Sequence, residues 1–320
     1  MRICVISTTA IPCPPTGYSG LEQLAWQQAV GLSKNHKVTL IAPTGSQVPD
    51  GIRLIETVLR ENEKQAYSKY WKELLQFDCI IDHSWQKWST MLKIEEKLNC
   101  PLLLWLHAPI DTMFGSPPPI NKPSFVCISQ DQSNHVKELL KCDSRVCYNG
   151  IDTKNYRPIN KPKNNNYLFL ARFSSIKGPD IALDVAKKCR IGLDMIGDDT
   201  ITGEPELAHL IKTECNLTPR LRYIGPQTRE QCVLWFNTNK ALLHPNLRYR
   251  EPFGLAPVEA QACGMPVIAW NYGAMSETIL NNETGFLVNS QEEIEELIKT
   301  DAVSQIKPKN CTNWAQKFSY

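Results

Sequence analysis

The sequence predicts an α/β protein made of two successive parallel-sheet units. Three observations carry this. Short apolar runs alternate with amphipathic segments through the first half, and the alternation gives way to a polar, proline-bearing stretch at Arg157 to Asn166. It then restarts and continues through the second half. Strand–helix alternation of this kind implies parallel pairing with helices on both faces, and 320 residues are comfortable for two domains of ordinary size.

In chain order, Ile3 to Ser7 reads as a buried strand and Ile11 to Gly20 as a Pro/Gly-rich loop. Leu21 to Ser33 follows as a helix, with Leu24, Ala25, Gln28 and Leu32 spaced for one face. Further strands are read at Val38 to Ala42, Cys79 to Asp82, Leu102 to Leu106, Phe125 to Ile128 and Arg145 to Cys147. After the break come strand Tyr167 to Ala171, helix Pro179 to Lys188, strand Gly192 to Ile196, helix Glu206 to Glu214 and strand Leu221 to Ile224. The remainder reads as helix Arg229 to Asn237, strand Ala241 to His244, helix Leu255 to Cys263, strands Pro266 to Trp270 and Gly285 to Val288, and helix Glu292 to Lys299. The expected domains are 1–156 and 167–304, joined by a linker at 157–166, with a segment at 305–320 returning to the first domain. Ligands of open α/β sheets bind at the carboxyl ends of the strands, so two such sheets facing each other are expected to form a central cleft.

Composition narrows the function. Hydrophobic residues make up 42% and charged residues 21%, enough for a substantial core. A net charge of +2 supplies no global field for nucleic acid or an anionic membrane. Of the 12 cysteines, Cys4, Cys79, Cys127 and Cys147 lie in apolar strand-like runs and Cys189, Cys232 and Cys263 in helix-like ones, and no pair has C-x-x-C spacing, which suits buried free thiols in a reducing compartment. The amino-terminal apolar run is too short for a signal peptide, and no run approaches the roughly 20 residues that span a bilayer. A cytoplasmic protein, or one peripheral at a membrane, is the expectation.

The most informative stretch runs from His244 to Ala269: strand, loop, helix, glycine stop, strand. Pro257 suits a first helical turn and Gly264 the left-handed position that ends a helix. The loop before this helix presents backbone N–H groups at Gly254 and Leu255 at the positive end of the helix dipole, a ready site for phosphate. Glu251 lies in the loop, and Glu259 lies one turn beyond Leu255. A carboxylate on either side of a phosphate site suits a ligand with hydroxyls flanking its phosphates, as a nucleotide sugar has, since charged hydrogen bonds to hydroxyls are worth about 1.5–3 kcal/mol each.

This block resembles the E-x7-E signature of retaining glycosyltransferases of the GT-B fold, family 4 in particular, with Pro252-Phe253-Gly254 and Cys263-Gly264-Met265-Pro266-Val267 in register. The resemblance implies two Rossmann-like domains, a sugar moved from a nucleotide-diphosphate donor such as a UDP- or GDP-sugar to a hydroxyl acceptor, and retention of configuration. It implies that Glu251 and the following amides contact the transferred sugar, and that Glu259 binds the ribose. Ala171-Arg172-Phe173-Ser174-Ser175-Ile176-Lys177-Gly178 resembles the family's Arg…Lys-Gly pair, which grips the diphosphate; fixed cations aimed at a departing diphosphate lower its barrier. Tyr18-Ser19-Gly20-Leu21-Glu22 resembles the turn whose backbone approaches the donor phosphates at Gly20. His107, in Leu106-His107-Ala108-Pro109, is either a satisfied structural residue or the match of a family histidine that reaches the donor sugar. His83 has the same topological placement. His244, Glu277 in Tyr272-Gly273-Ala274-Met275-Ser276-Glu277, and Asn149-Gly150-Ile151-Asp152 are read as structural. The end, Asn313 to Tyr320, resembles the start of the family's closing helix.

Gly197-Asp198-Asp199 is a strand-end turn rather than an Asp-x-Asp metal site, so neither metal nor cofactor is expected. No Gly-x-Gly-x-x-Gly follows the first strand, which disfavours a dinucleotide. A lipid-linked sugar, a polysaccharide end or a small molecule all fit as acceptor. Two alternatives stand beside the transferase: a sugar-nucleotide epimerase of the same architecture, and a non-catalytic nucleotide-sugar-binding protein.

Overall fold

The computed structural model describes residues 1–17, 19–111, 123–199 and 204–320, so Tyr18 of the phosphate-approaching turn lies outside the described residues. The chain divides into two compact units, Met1–Tyr148 and Asn149–Tyr320. Each is an α/β unit around its own all-parallel sheet.

The first sheet has seven strands: β1 (Arg2–Ile6), β2 (Lys37–Pro43), β3 (Ile52–Thr57), β4 (Cys79–Asp82), β5 (Leu102–Trp105), β6 (Ser124–Cys127) and β7 (Arg145–Val146). Their spatial order is β3-β2-β1-β4-β5-β6-β7, so the direction of winding reverses between β1 and β4. Register follows period-two burial. Cys4 and Ile6 face the core closed by helix Glu63–Leu74, and Ile3 and Val5 face the one closed by helix Leu21–Ser33.

The second sheet has six strands: β8 (Tyr167–Leu170), β9 (Leu193–Ile196), β10 (Leu221–Tyr223), β11 (Leu242–His244), β12 (Val267–Trp270) and β13 (Gly285–Val288). The order is β10-β9-β8-β11-β12-β13, which reverses between β8 and β11. Tyr167, Phe169, Met195, Leu243 and Ile268 line one core with helix Pro179–Cys189, and burying a side chain such as Phe169 is worth about 1.5–3 kcal/mol.

The strands and helices read from the sequence are present with shifts of a few residues at their ends. Strand β3 and helices Glu63–Leu74, Gln130–Leu140 and Pro308–Ala315 are additions to that reading. The unit boundary falls after Tyr148, and residues 157–166 lie within the second unit, where the Ile159 N–H donates to Asn237 Oδ1 at 2.8 Å. Helix Pro308–Ala315 likewise belongs to the second unit: Trp314 Nε1 donates to the Thr278 carbonyl at 2.9 Å. No helix among the described residues is long and apolar enough to cross a membrane.

Candidate active site

In a parallel sheet that winds both ways, the crevice for a ligand opens at the carboxyl ends of the two strands flanking the reversal. In the second unit those strands are β8 and β11, and the segments that leave them carry most of the residues singled out above. After β8 the chain passes Arg172 and makes a short 3-10 turn, Ser175–Lys177. Gly178 then adopts φ +67, and a Cβ there would stand 2.2 Å from the Pro245 carbonyl oxygen. Only glycine lets the turn lie this close to the segment leaving β11.

That close approach brings Lys177 to Glu251. Lys177 Nζ donates to Glu251 Oε2 at 2.6 Å and lies 4.5 Å from the centre of the Tyr249 ring. Asn246 Nδ2 donates to the same oxygen at 2.9 Å, and His244 Nε2 stands 3.6 Å from it. Glu251 is buried. Burial alone would push its carboxyl up, but the Lys177 ammonium and the His244 ring outweigh burial and hold it well below the usual carboxylate range. Its backbone is clamped as well: the Ala274 N–H donates to the Glu251 carbonyl at 2.8 Å, with Gly273 at φ +70 against the same peptide.

Three residues beyond Glu251, Gly254 (φ 83) is the N-cap of helix Leu255–Ala262, and no side chain caps that terminus. The first-turn N–H groups of a helix have no partner within it, so Leu255 and its neighbours meet the chemical requirement for an anion site. Arg172 is exposed, and its charge adds to the hydrogen bonds from Ser174 and Ser175 that lower the Glu204 carboxyl. Glu259 is in a different setting. It is buried, and Arg229 Nη1 donates to its Oε1 at 3.2 Å and to the Tyr156 hydroxyl at 3.2 Å. The two glutamates of E-x7-E therefore each answer to a different cation.

In the first unit the reversal lies between β1 and β4. Gly20 is the N-cap of helix Leu21–Ser33, again without a side-chain cap, and the Leu24 N–H donates to its carbonyl at 3.0 Å. Glu22 is buried; Thr8 Oγ1 donates to Oε1 at 2.6 Å and Ser19 Oγ donates to Oε2. His107 follows β5 and its ring lies beside that of His83, which follows β4 (centroids 5.0 Å apart, 28°). Burial, and for His83 also the neighbouring His107 ring, hold both imidazoles well below their ordinary range, so both are neutral at pH 7.

The residues that the sequence reading passed over are His83 as the partner of His107, and His244 and Asn246 as neighbours of Glu251. For the histidines a signal was available: His83 directly follows β4 and His244 is the last residue of β11. Arg229 and Tyr156 had none, because their meeting with Glu259 depends on packing between distant segments. Among the described residues no group of three or more His, Cys, Asp or Glu gathers as a metal site, and all twelve cysteines are free.

A family model described as "Glycosyl transferases group 1" matches residues 152–318. An uncharacterized glycosyltransferase, MJ1178 of Methanocaldococcus jannaschii, is 26% identical over 242 residues, or 71% of this chain and 67% of the relative. A D-inositol 3-phosphate glycosyltransferase of Streptomyces bingchenggensis is 31% identical over 132 residues. That match spans 38% of this chain and only 29% of the relative's length. Among solved structures, sucrose-phosphate synthase from Thermosynechococcus elongatus superposes with a TM-score of 0.80 at 20% identity, covering 99% of this chain and 94% of the other. Anabaena HepE in complex with UDP-glucose superposes with a TM-score of 0.78 at 17% identity, covering 100% and 96%. These structures share the GT-B fold with this chain.

Proposed function

Because the chain belongs to the glycosyl transferases group 1 and is a glycosyltransferase of the GT-B fold, we propose that it moves a sugar from a nucleotide-diphosphate donor to a hydroxyl acceptor, with retention of configuration and without a metal. The observation that carries the reading is the 2.6 Å pair between Lys177 and Glu251 beside the uncapped start of helix Leu255–Ala262. It joins a cation from one strand end, a carboxylate from the next and a helix dipole at the reversal of the second sheet. Anabaena HepE, which shares the fold, is solved in complex with UDP-glucose, and this favours a nucleotide sugar of that kind here.

In this reading Arg172, Lys177 and the amides at Gly254 and Leu255 hold the diphosphate and take up the charge that grows on it as the glycosidic bond breaks. Glu251, ionised and hydrogen-bonded on one oxygen, orients the sugar. Glu259 accepts from the ribose hydroxyls, sharing its charge with Arg229. From the first unit, His107 is assigned to the sugar and Gly20 to the phosphates. With the charge of the departing diphosphate met by fixed cations and amides, the chemistry asks for no divalent ion. The acceptor is a hydroxyl compound, and a reducing, cytoplasmic setting suits the twelve free thiols.

A panel of UDP-, GDP- and ADP-sugars in thermal shift, with and without EDTA, tests donor binding. A donor at a hundred times its dissociation constant stabilises by about 2.7 kcal/mol. Turnover with the stabilising donor should survive EDTA and should fall about 10²–10³-fold in Glu251→Gln, the range seen when one transition-state contact is lost. Conversion of donor in the absence of any acceptor would favour the epimerase. Full turnover in Glu251→Gln with donor bound would remove Glu251 from the reaction.

A further inference from the structure

The first unit contains a part-buried hydrogen-bonded chain that the family resemblance does not supply. His83 is 1% exposed, at the carboxyl end of β4 where the sheet reverses, with its backbone N–H held by the Ile6 carbonyl at 2.8 Å. Its ring lies 5.3 Å from Trp105 between centroids at 22°, and the His107 ring lies beside it at 5.0 Å and 28°. Both ring nitrogens are engaged. Nε2 meets Gln28 Oε1 at 2.6 Å and Nδ1 meets His107 Nε2 at 2.7 Å.

A neutral imidazole carries one N–H, and the neighbour of one nitrogen decides which. A carboxamide oxygen only accepts, so the proton of His83 lies on Nε2 and is donated to Gln28. His83 Nδ1 is then a bare acceptor, and the only partner that completes the contact is a proton on His107 Nε2. The order runs from His107 Nε2–H to His83 Nδ1, and from His83 Nε2–H to Gln28 Oε1. His107 is left with its lone pair on Nδ1. Two rings packed merely to fill a core would need no such in-line contacts.

We propose that His83, set by Gln28, is a positioning residue that fixes the tautomer of His107, so that His107 offers a ligand a hydrogen-bond acceptor at Nδ1 and not a donor. The ligand group it fits is therefore a hydroxyl that donates. This rests on the assignment of His107 to the sugar only for its consequence in turnover. The tautomer itself is a property of the free protein.

The test uses the whole chain labelled with ¹⁵N at histidine, with two-bond proton–nitrogen correlation spectra of wild type, His83→Asn, His83→Phe and Gln28→Leu, and steady-state kinetics on each. Wild type should show His107 protonated on Nε2. His83→Phe should mix the tautomers and lower kcat/KM about ten-fold, the low end of what losing the outer partner of a metal-ligating histidine costs. In His83→Asn a carboxamide oxygen stands near the former Nδ1, so the Nε2–H form and most of the turnover should return. Gln28→Leu should loosen the tautomer of both rings, and it tests the chain if His83→Phe does not fold. A wild-type His107 protonated on Nδ1, or an unchanged tautomer in both His83→Phe and Gln28→Leu, overturns the proposal. Full turnover in His107→Ala would instead strike the assignment of His107 to the sugar and leave the tautomer result standing.

Discussion

Glu251 keeps its charge where desolvation alone would remove it, and the stability of the molecule inherits that arrangement. Removing one partner of a buried pair leaves the other uncompensated, at a typical cost of about 3–5 kcal/mol. Lys177→Met is therefore expected to lower the urea midpoint markedly, and Glu251→Gln by less, since the amide still accepts from Lys177; denaturation followed by circular dichroism measures both. The pH dependence has a definite sign. Glu251 has a depressed folded pKa, so its contribution is full above the ordinary carboxylate value of 4.5 and is lost as pH falls through the lower folded value. His83 and His107 are also depressed, from 6.5, so the unfolded chain takes up protons first and stability falls with pH below that point. The slope of unfolding free energy between pH 6.5 and about 5 should flatten in His83→Asn. An unchanged slope would show that the His83 ring titrates alike folded and unfolded.

At the scale of elements, the turns decide whether the charged groups meet. Gly178 and Gly273 both hold positive φ, 67 and 70, with backbone atoms at 2.2 and 2.4 Å from where a Cβ would go. The φ alone costs a side chain about 1–3 kcal/mol, and the backbone contacts add to it. Gly273→Ala should therefore shift the Glu251 peptide and depress turnover more than donor affinity for the phosphates, which kinetics and calorimetry together resolve. The same elements show what could be read in advance. Strands such as Cys79–Asp82 announce themselves because they are apolar almost throughout, and the block from Glu251 to Val267 because its residues hold a recognisable register. Helix Glu63–Leu74 does not, because only Ala66, Tyr70 and Leu74 are buried on an otherwise charged surface. Edge strand β3 hides for a similar reason, with Arg53 and Glu56 interrupting its apolar positions. The Lys177–Glu251 pair spans 74 positions and the Arg229–Glu259 pair 30, and no local pattern encodes either distance.

For the whole molecule, cores that each lie within one unit predict two folding units. Residues 149–320 expressed alone should unfold cooperatively and be stabilised by a UDP-sugar or by UDP, since the proposed phosphate and ribose contacts other than Gly20 fall within that span. Absence of a cooperative transition in scanning calorimetry would show that the core of this unit is not self-sufficient. The unit is also closed on itself. The Ile151 N–H donates to the Phe318 carbonyl at 2.8 Å, Thr153 Oγ1 and Ser319 Oγ lie 2.7 Å apart, and Gly150 leaves room for Tyr320. Such adjacency makes the unit behave as a cassette. A short peptide joining residue 320 back to residue 149 should allow the chain to be reopened at an exposed loop elsewhere, giving a circular permutant with the same ligand site.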